Sequence, residues 1–379
     1  MSLIQVYNPF PIKIDRAEGC YIYDKTGEAF LDTFSGIGVM SFGHSHPSLL
    51  KALKEKMDRY MHTSNFFLDE DAIFVSEKLV NFTGKNGTVY FSNSGAEATE
   101  AALKAIKKRA TDKRNKIVFF ENGFHGRTLG ALSINGFKDL REPFEPLLPN
   151  TIELKYNDVE DLSRYFDLFG EETLAVFVEP ILGSGGIVSI KPEFASLIED
   201  LKRKYNFILV CDEVQAGLGR TGKIFSYQHF GLSPNIITIG KSIGGGLPLG
   251  GTLFLENISQ AFEKGEHGST FAPNPVALAG ARFIVENIPS LLKDVEEKGN
   301  YIMQYLKEKN FEKVKEVRGK GLMIGIELKE EDPQMRGKGL QEGLLLNVLH
   351  NSVIRLLPPL NIEYNDIEKM LVKLEKVLK

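Results

Sequence analysis

The stretch "FILVCDE", residues 207–213, runs through five apolar residues and stops on two carboxylates, Asp212 and Glu213. A strand that is apolar on both faces is a buried strand, and acidic groups at its end are costly unless something uses them. The neighbouring sequence repeats the pattern. "TVYFS" (88–92), "KIVFFE" (116–121), "TLAVFVEP" (173–180), "IITIGK" (236–241) and "TLFLE" (252–256) are short β-branched or aromatic runs separated by amphipathic stretches. Continuous apolar runs alternating with helical patterns predict an α/β chain with a mainly parallel sheet covered on both faces. Ligands of such sheets bind outside the carboxyl ends of the strands. The residues that follow the runs should then carry the chemistry, and they are Ser94-Gly95, His125, Glu179, Asp212 and Lys241.

Beyond about residue 275 the pattern changes to a long amphipathic helix (276–309), a strand-like "VRGKGLMIGIELKE" and a terminal helix in "IEKMLVKLEKVL". The expected organisation is an N-terminal segment (1–50) joining a small domain, a large domain (51–274) and the C-terminal small domain (275–379). The N-terminal segment carries its own hairpin-like "GCYIYDKTGEAFLDT" (19–33). A chain of 379 residues with 42% hydrophobic and 25% charged residues can bury a large core without staples. Its net charge of −4 argues against a nucleic-acid surface, and no window approaches the roughly 20 apolar residues of a membrane span. The two cysteines, Cys20 and Cys211, fit no disulfide or metal spacing and read as buried small hydrophobes. With no signal-peptide pattern at the start, a cytoplasmic protein without a metal site is expected.

Lys241 sits in "TIGKSIGGGLPLGG" (238–251), between an apolar run and a cluster of glycines. A phosphate loop places its glycines before the lysine, whereas here they follow it, and no dinucleotide fingerprint is present. The remaining readings are a solvated loop lysine or a nucleophilic amine held at a strand end, with glycines that let the backbone pass close to a flat ligand. Asp212, one strand away, favours the second. Pyridoxal phosphate chemistry needs a lysine for the cofactor carbonyl and an aspartate that keeps the pyridine nitrogen protonated. In "FSNSGAEATEAALKAIKKR" (91–109), Ser94 and Glu97 have capping-box spacing, and the same helix N-terminus is a seat for a phosphate.

These residues, with "NGFHGRTLGALSINGF", "AVFVEP", "VCDEVQAGLGRTGKIF", "HGSTFAPNP", "VRGKGLMIGIEL" and "IRLLPPLNI", resemble the class III (ω-amino-acid) aminotransferases, nearest the acetylornithine, ornithine and 4-aminobutyrate branch. The resemblance spans the whole chain. It implies a fold-type I pyridoxal 5'-phosphate enzyme with a seven-stranded, mainly parallel sheet, working as a homodimer with shared active sites. Lys241 matches the Schiff-base lysine, Asp212 the partner of the pyridine nitrogen and Gln215 the glutamine near the ring hydroxyl. Phe124 matches the residue against the ring face, with His125 and Glu179 beside it. Ser94, Gly95 and Ala96 match the phosphate cradle, and Thr270 the threonine that reaches the phosphate from the other subunit. Arg127 and Arg355 resemble the two substrate-carboxylate arginines, and Tyr7 an aromatic at the substrate entrance.

The implied reaction moves the ω-amino group of acetylornithine or a close ω-amino acid to 2-oxoglutarate by a ping-pong route. The alternatives are a 4-aminobutyrate or other ω-amine transaminase, perhaps with pyruvate as acceptor, an aminomutase or racemase, and a cofactor-binding protein without turnover. One departure bears on the choice. The family's second glutamate after the Glu-Pro pair, which masks the arginine matching Arg355, is replaced in "EPILGSGG" by Ser184, next to Leu182 and Gly183. An unmasked Arg355 favours substrates with a carboxylate near the reacting carbon. Ala96 and "FAPNP" are smaller departures that remove no catalytic group.

Overall fold

The structure is a computed structural model that describes residues 2–379. Its centre is a seven-stranded sheet in the order Gly87–Ser92, Gly250–Leu255, Ile236–Ile239, Ile208–Asp212, Thr173–Val178, Lys116–Phe120, Thr151–Leu154. All six expected runs are strands of this sheet. Thr151–Leu154 is the strand the pattern does not reveal, because "TIEL" at an edge is short and half polar.

Side chains alternate between two cores, as period two requires. Val118, Phe120, Val178, Leu209 and Cys211 pack on one face, and Ile117, Phe119, Phe177 and Val210 on the other. A fully buried side chain such as Phe177 stabilises the sheet by roughly 1.5–3 kcal/mol relative to its exposed state. Both cysteines are buried and unpaired, and burial pushes the Cys20 thiol up to about 12.

Gly250–Leu255 alone runs antiparallel to both of its neighbours. Its end therefore lies at the edge opposite the other strand ends, where Glu256 pairs with Lys85 at 3.1 Å. Its first residue lies at the edge that the others share, and a Cβ on Gly250 would meet the carbonyl oxygen of Ser94 at 2.2 Å.

The C-terminal helix expected over 276–309 spans Pro275–Lys309. Asn274 caps it by accepting from the Val276 and Ala277 N–H groups at 3.0 and 3.1 Å. Ile284 and Ile288 belong to the core of the large sheet, while Val295 and Ile302 belong to a second core. One helix thus ties the two bodies together. The second body holds a four-stranded sheet in the order Val314–Lys320, Met323–Leu328, Val353–Leu356, Asn347–Leu349, backed by Tyr364–Leu378.

The segment "VRGKGLMIGIELKE", expected as one strand, is a hairpin that turns at Gly321, whose φ of +52° suits glycine. The N-terminal strands Ile14–Glu18, Tyr21–Asp24 and Ala29–Asp32 form a further sheet, closed by Leu344–Leu345 running parallel to Leu31-Asp32. The N-terminal segment therefore joins the C-terminal one in the smaller α+β body. Among the described residues no helix is long and apolar enough to cross a membrane.

Candidate active site

The parallel strand ends open on one cavity of about 260 Å³. Gly95, Ala96, Phe124, His125, Arg127, Glu179, Asp212, Gln215 and Lys241 all line it, so nine of the positions singled out from sequence meet in one place. Ser184 lines it too, together with Gly126 and Val214, which sequence reasoning did not single out. Val214 lies two residues past its strand end, so extending the strand-end rule by two residues would have found it.

Ser94, Tyr7, Thr270 and Arg355 are not in the cavity wall. The Ser94 hydroxyl accepts from the Glu97 N–H at 3.2 Å and caps the helix Gly95–Lys107. The return bond of the expected capping box is displaced by one residue. The Glu97 carboxylate accepts from the backbone and side-chain N–H groups of Asn93 at 2.7 and 2.9 Å. Tyr7 is 83% exposed in the N-terminal segment. Thr270 is exposed on a loop that Asn65 and Asn93 hold through Ser269, at 2.8 and 3.0 Å.

Lys241 begins a short turn directly after its strand, with φ at +50°, a left-handed conformation that costs a residue with a Cβ roughly 1–2 kcal/mol. Burial pushes its amine down to about 8. The nearby Arg355 charge acts in the same direction, and Glu179 and Asp212 offset part of the effect. A substantial neutral fraction near pH 8 is what a nucleophile or a proton-accepting amine needs.

The glycines after Lys241 do a different task from the one expected. A Cβ on Gly245 would meet Leu49 Cδ1 at 2.8 Å, and the Gly244 carbonyl approaches Gly280 just as closely. Gly244–Gly246 make room for packed protein, Leu249, the helix residues Leu49 and Gly280, and Met40, not for a ligand. The close approach near the cavity belongs to Gly240 and Gly95, since a Cβ on Gly240 would meet the Gly95 nitrogen at 3.2 Å.

Asp212 is buried at the end of its strand. One carboxylate oxygen accepts from the Val214 N–H at 3.0 Å, and the other lies 2.7 Å from His125 Nδ1. Burial acts to lower the His125 pKa, but the hydrogen bond and charge of Asp212 outweigh it and raise the pKa above its ordinary value. The two side chains thus form a buried hydrogen-bonded pair at the strand end. Glu179 is a clamp, accepting from the N–H groups of Phe124 and Gly183 at 2.7 and 2.9 Å. Burial raises its carboxyl to about 7, against the His125 charge and its two N–H donors, which lower it.

Arg355 lies behind the cavity wall and is only 3% exposed. Its Nη1 donates to Gln215 Oε1 at 3.0 Å and to the Gly183 carbonyl at 3.2 Å, and its Nε donates to Asn347 Oδ1 at 2.9 Å. Burial lowers the guanidinium to about 10, so it stays charged at neutral pH. Arg127 is exposed at the mouth, 5.6 Å from the centroid of the Phe124 ring. A reactive amine, a paired buried carboxylate, a helix N-terminus at Gly95 and two arginines fit a phosphorylated, electron-withdrawing aldehyde cofactor and carboxylate-bearing substrates.

Comparisons with known proteins agree with this geometry. The family described as aminotransferase class-III matches residues 4–378. The chain is 40% identical over 379 residues to the acetylornithine aminotransferase of Aquifex aeolicus, covering 99% of each. It is also 40% identical over 369 residues to that of Archaeoglobus fulgidus, covering 97% of this chain and 96% of the relative. Among solved structures, the ornithine aminotransferase of Toxoplasma gondii superposes with a TM-score of 0.92 at 28% identity, covering 100% of this chain and 92% of the other. The N-acetylornithine aminotransferase of Stenotrophomonas maltophilia gives 0.83 at 28% identity, covering 97% and 96%. With its strand-end lysine, its buried aspartate and a match that runs nearly from end to end, the chain belongs to the class III aminotransferases.

Proposed function

We propose that this enzyme moves the ω-amino group of acetylornithine, or of a close ω-amino acid, to 2-oxoglutarate, with pyridoxal 5'-phosphate as cofactor. The observation that carries the reading is the Lys241 amine, lowered to about 8, in one cavity with Asp212 and His125 and backed by Arg355. The substrate choice is supported by relatives named acetylornithine aminotransferase at 40% identity over nearly the full chain. When bound, the cofactor supplies a carbonyl for the amine and a ring that accepts an electron pair.

The chain supplies the rest. The N–H groups of Gly95 and Ala96 at the helix N-terminus would hold the phosphate, aided by the positive end of the helix. Asp212, oriented by His125, would hold the ring nitrogen in its charged form, and Phe124, which lines the same cavity, would pack against the ring. The Lys241 amine moves the proton at the substrate carbon, while Arg127 and Arg355 bind carboxylates. Coupled assays of the purified protein with single donor–acceptor pairs test this reading. Turnover of acetylornithine with 2-oxoglutarate is the expected result, and its absence alongside turnover of 4-aminobutyrate overturns the donor assignment. That second reading, a 4-aminobutyrate or other ω-amine transaminase with pyruvate as acceptor, is favoured by one observation: Ser184 lines the cavity and brings no carboxylate to Arg355.

We further infer a cytoplasmic homodimer with the large domain over residues 51–274 and the small domain over 275–379, the N-terminal segment 1–50 joining the small domain. Phe66 is 94% exposed and Phe271 65%, on two loops joined by the Asn65–Ser269 bond and by the His62–Phe271 ring contact at 5.5 Å. Thr270 sits on this apolar crest and outside its own cavity wall, where it can serve a partner's phosphate site. Phe271→Glu is expected to give a monomer in sedimentation velocity with loss of most activity. A fully dimeric variant would place the interface elsewhere.

A further inference from the structure

We propose that Asn347 is a positioning residue that fixes the Arg355 guanidinium while leaving its charge free for a substrate carboxylate. The inference deepens the amino-transfer reading and rests on it. Asn347 and Arg355 face each other in register across antiparallel strands, so the backbone ladder itself sets their pairing. The Asn347 oxygen takes the Nε hydrogen at 2.9 Å, and Gln215 and the Gly183 carbonyl take Nη1 at 3.0 and 3.2 Å. Every acceptor is neutral, and among the described residues Nη2 donates to none.

A guanidinium buried to this degree normally has a carboxylate partner, because an unpaired charge taken out of water is expensive. Here three dipoles hold it in place without cancelling it. The Glu179 charge favours the guanidinium without bonding to it, so an incoming carboxylate meets a preoriented cation that has no hydrogen-bonded carboxylate and gains from pairing with it. Gln215 shares in the arrangement. Its amide oxygen is committed to Arg355, so its amide nitrogen is the end left to face the cavity. Asn347 carries the test because it is not in the cavity wall and can be changed without touching the cofactor site.

The test uses the cofactor-loaded enzyme and glutarate, an unreactive dicarboxylate whose binding is measured by calorimetry. Asn347→Asp keeps the shape and the acceptor but adds a negative charge beside the guanidinium. It is expected to weaken glutarate at least tenfold and to raise KM for the keto acid in parallel, with kcat within about twofold. Asn347→Leu removes the acceptor and is expected to weaken glutarate several-fold. The absorbance of the bound cofactor should stay at its wild-type value in both, which general damage to the site would not allow, while the melting temperature should hold or rise in Asn347→Asp, which pairs the buried guanidinium, and fall in Asn347→Leu, which leaves Nε without an acceptor. Glutarate binding by Asn347→Asp that matches wild type overturns the proposal, as does a wild-type enzyme that binds no glutarate. Should Asn347→Leu misfold, Asn347→Asp decides alone. Because glutarate binding needs no turnover, failure of acetylornithine as donor leaves this result readable.

Discussion

Lys241→Ala should lose turnover altogether in a coupled assay and should no longer acquire the absorbance of a covalently held cofactor. Loss of a positioned proton-transfer group costs roughly 10²–10⁴-fold by itself, and in the proposed role this residue would also supply the covalent attachment. Two pH signatures separate this role from general damage. In the wild type only the neutral amine carries a lone pair, so the loading rate should rise with pH and level off above about 8, not near the ordinary lysine value. The second signature is stability. A lysine pKa lowered by folding favours the native state fully above the unfolded value of 10.5, and that contribution is lost as pH falls through about 8. Cofactor-free Lys241→Ala carries no such buried cation at pH 7, so it should melt higher than the cofactor-free wild type there and converge with it above pH 10.5. A wild-type loading profile that keeps rising to pH 10 would sink the depressed-amine assignment.

Much of this was legible in the sequence because a buried parallel strand writes its ends plainly. "FILVCDE" and "IITIGK" are apolar almost throughout while the chain is inside the sheet, Thr238 being the one exception, so the first charged residues, Asp212 and Lys241, mark the carboxyl edge. One strand broke the rule for a topological reason. "TLFLE" runs antiparallel, so Glu256 lies at the far edge with Lys85, and it is Gly250 that abuts the Ser94 carbonyl. What periodicity cannot carry is cross-element contact. Nothing about Gln215 announces that its amide oxygen holds Arg355, and Asn347 meets that arginine only because a later strand pairs with its own. The glycines after Lys241 show the same limit. Three in a row signal close approach, but only the packed structure reveals that Leu249, the helix residues Leu49 and Gly280, and Met40 are what approach them.

Asp212→Asn, nearly identical in shape, should by contrast keep the cofactor while losing most of the turnover. Asp212 is buried, and each of its oxygens has one protein partner, the Val214 N–H at 3.0 Å and His125 at 2.7 Å, which leaves acceptor capacity toward the cavity. The asparagine lacks the charge that raises His125 and that, in the proposed role, would hold a protonated ring nitrogen beside it. Removing one member of a buried, hydrogen-bonded charge pair costs about 2–5 kcal/mol, which corresponds to roughly 30- to 5,000-fold in rate if it falls on the barrier. Because Lys241 is untouched, loading and its absorbance should persist, although the band should respond to the changed ring protonation. The pair of variants thus divides the site. Lys241→Ala abolishes attachment and reaction together, whereas Asp212→Asn separates them. Turnover by Asp212→Asn within threefold of wild type would mean that the His125–Asp212 pair only braces two strand ends and that the electron-withdrawing role lies elsewhere.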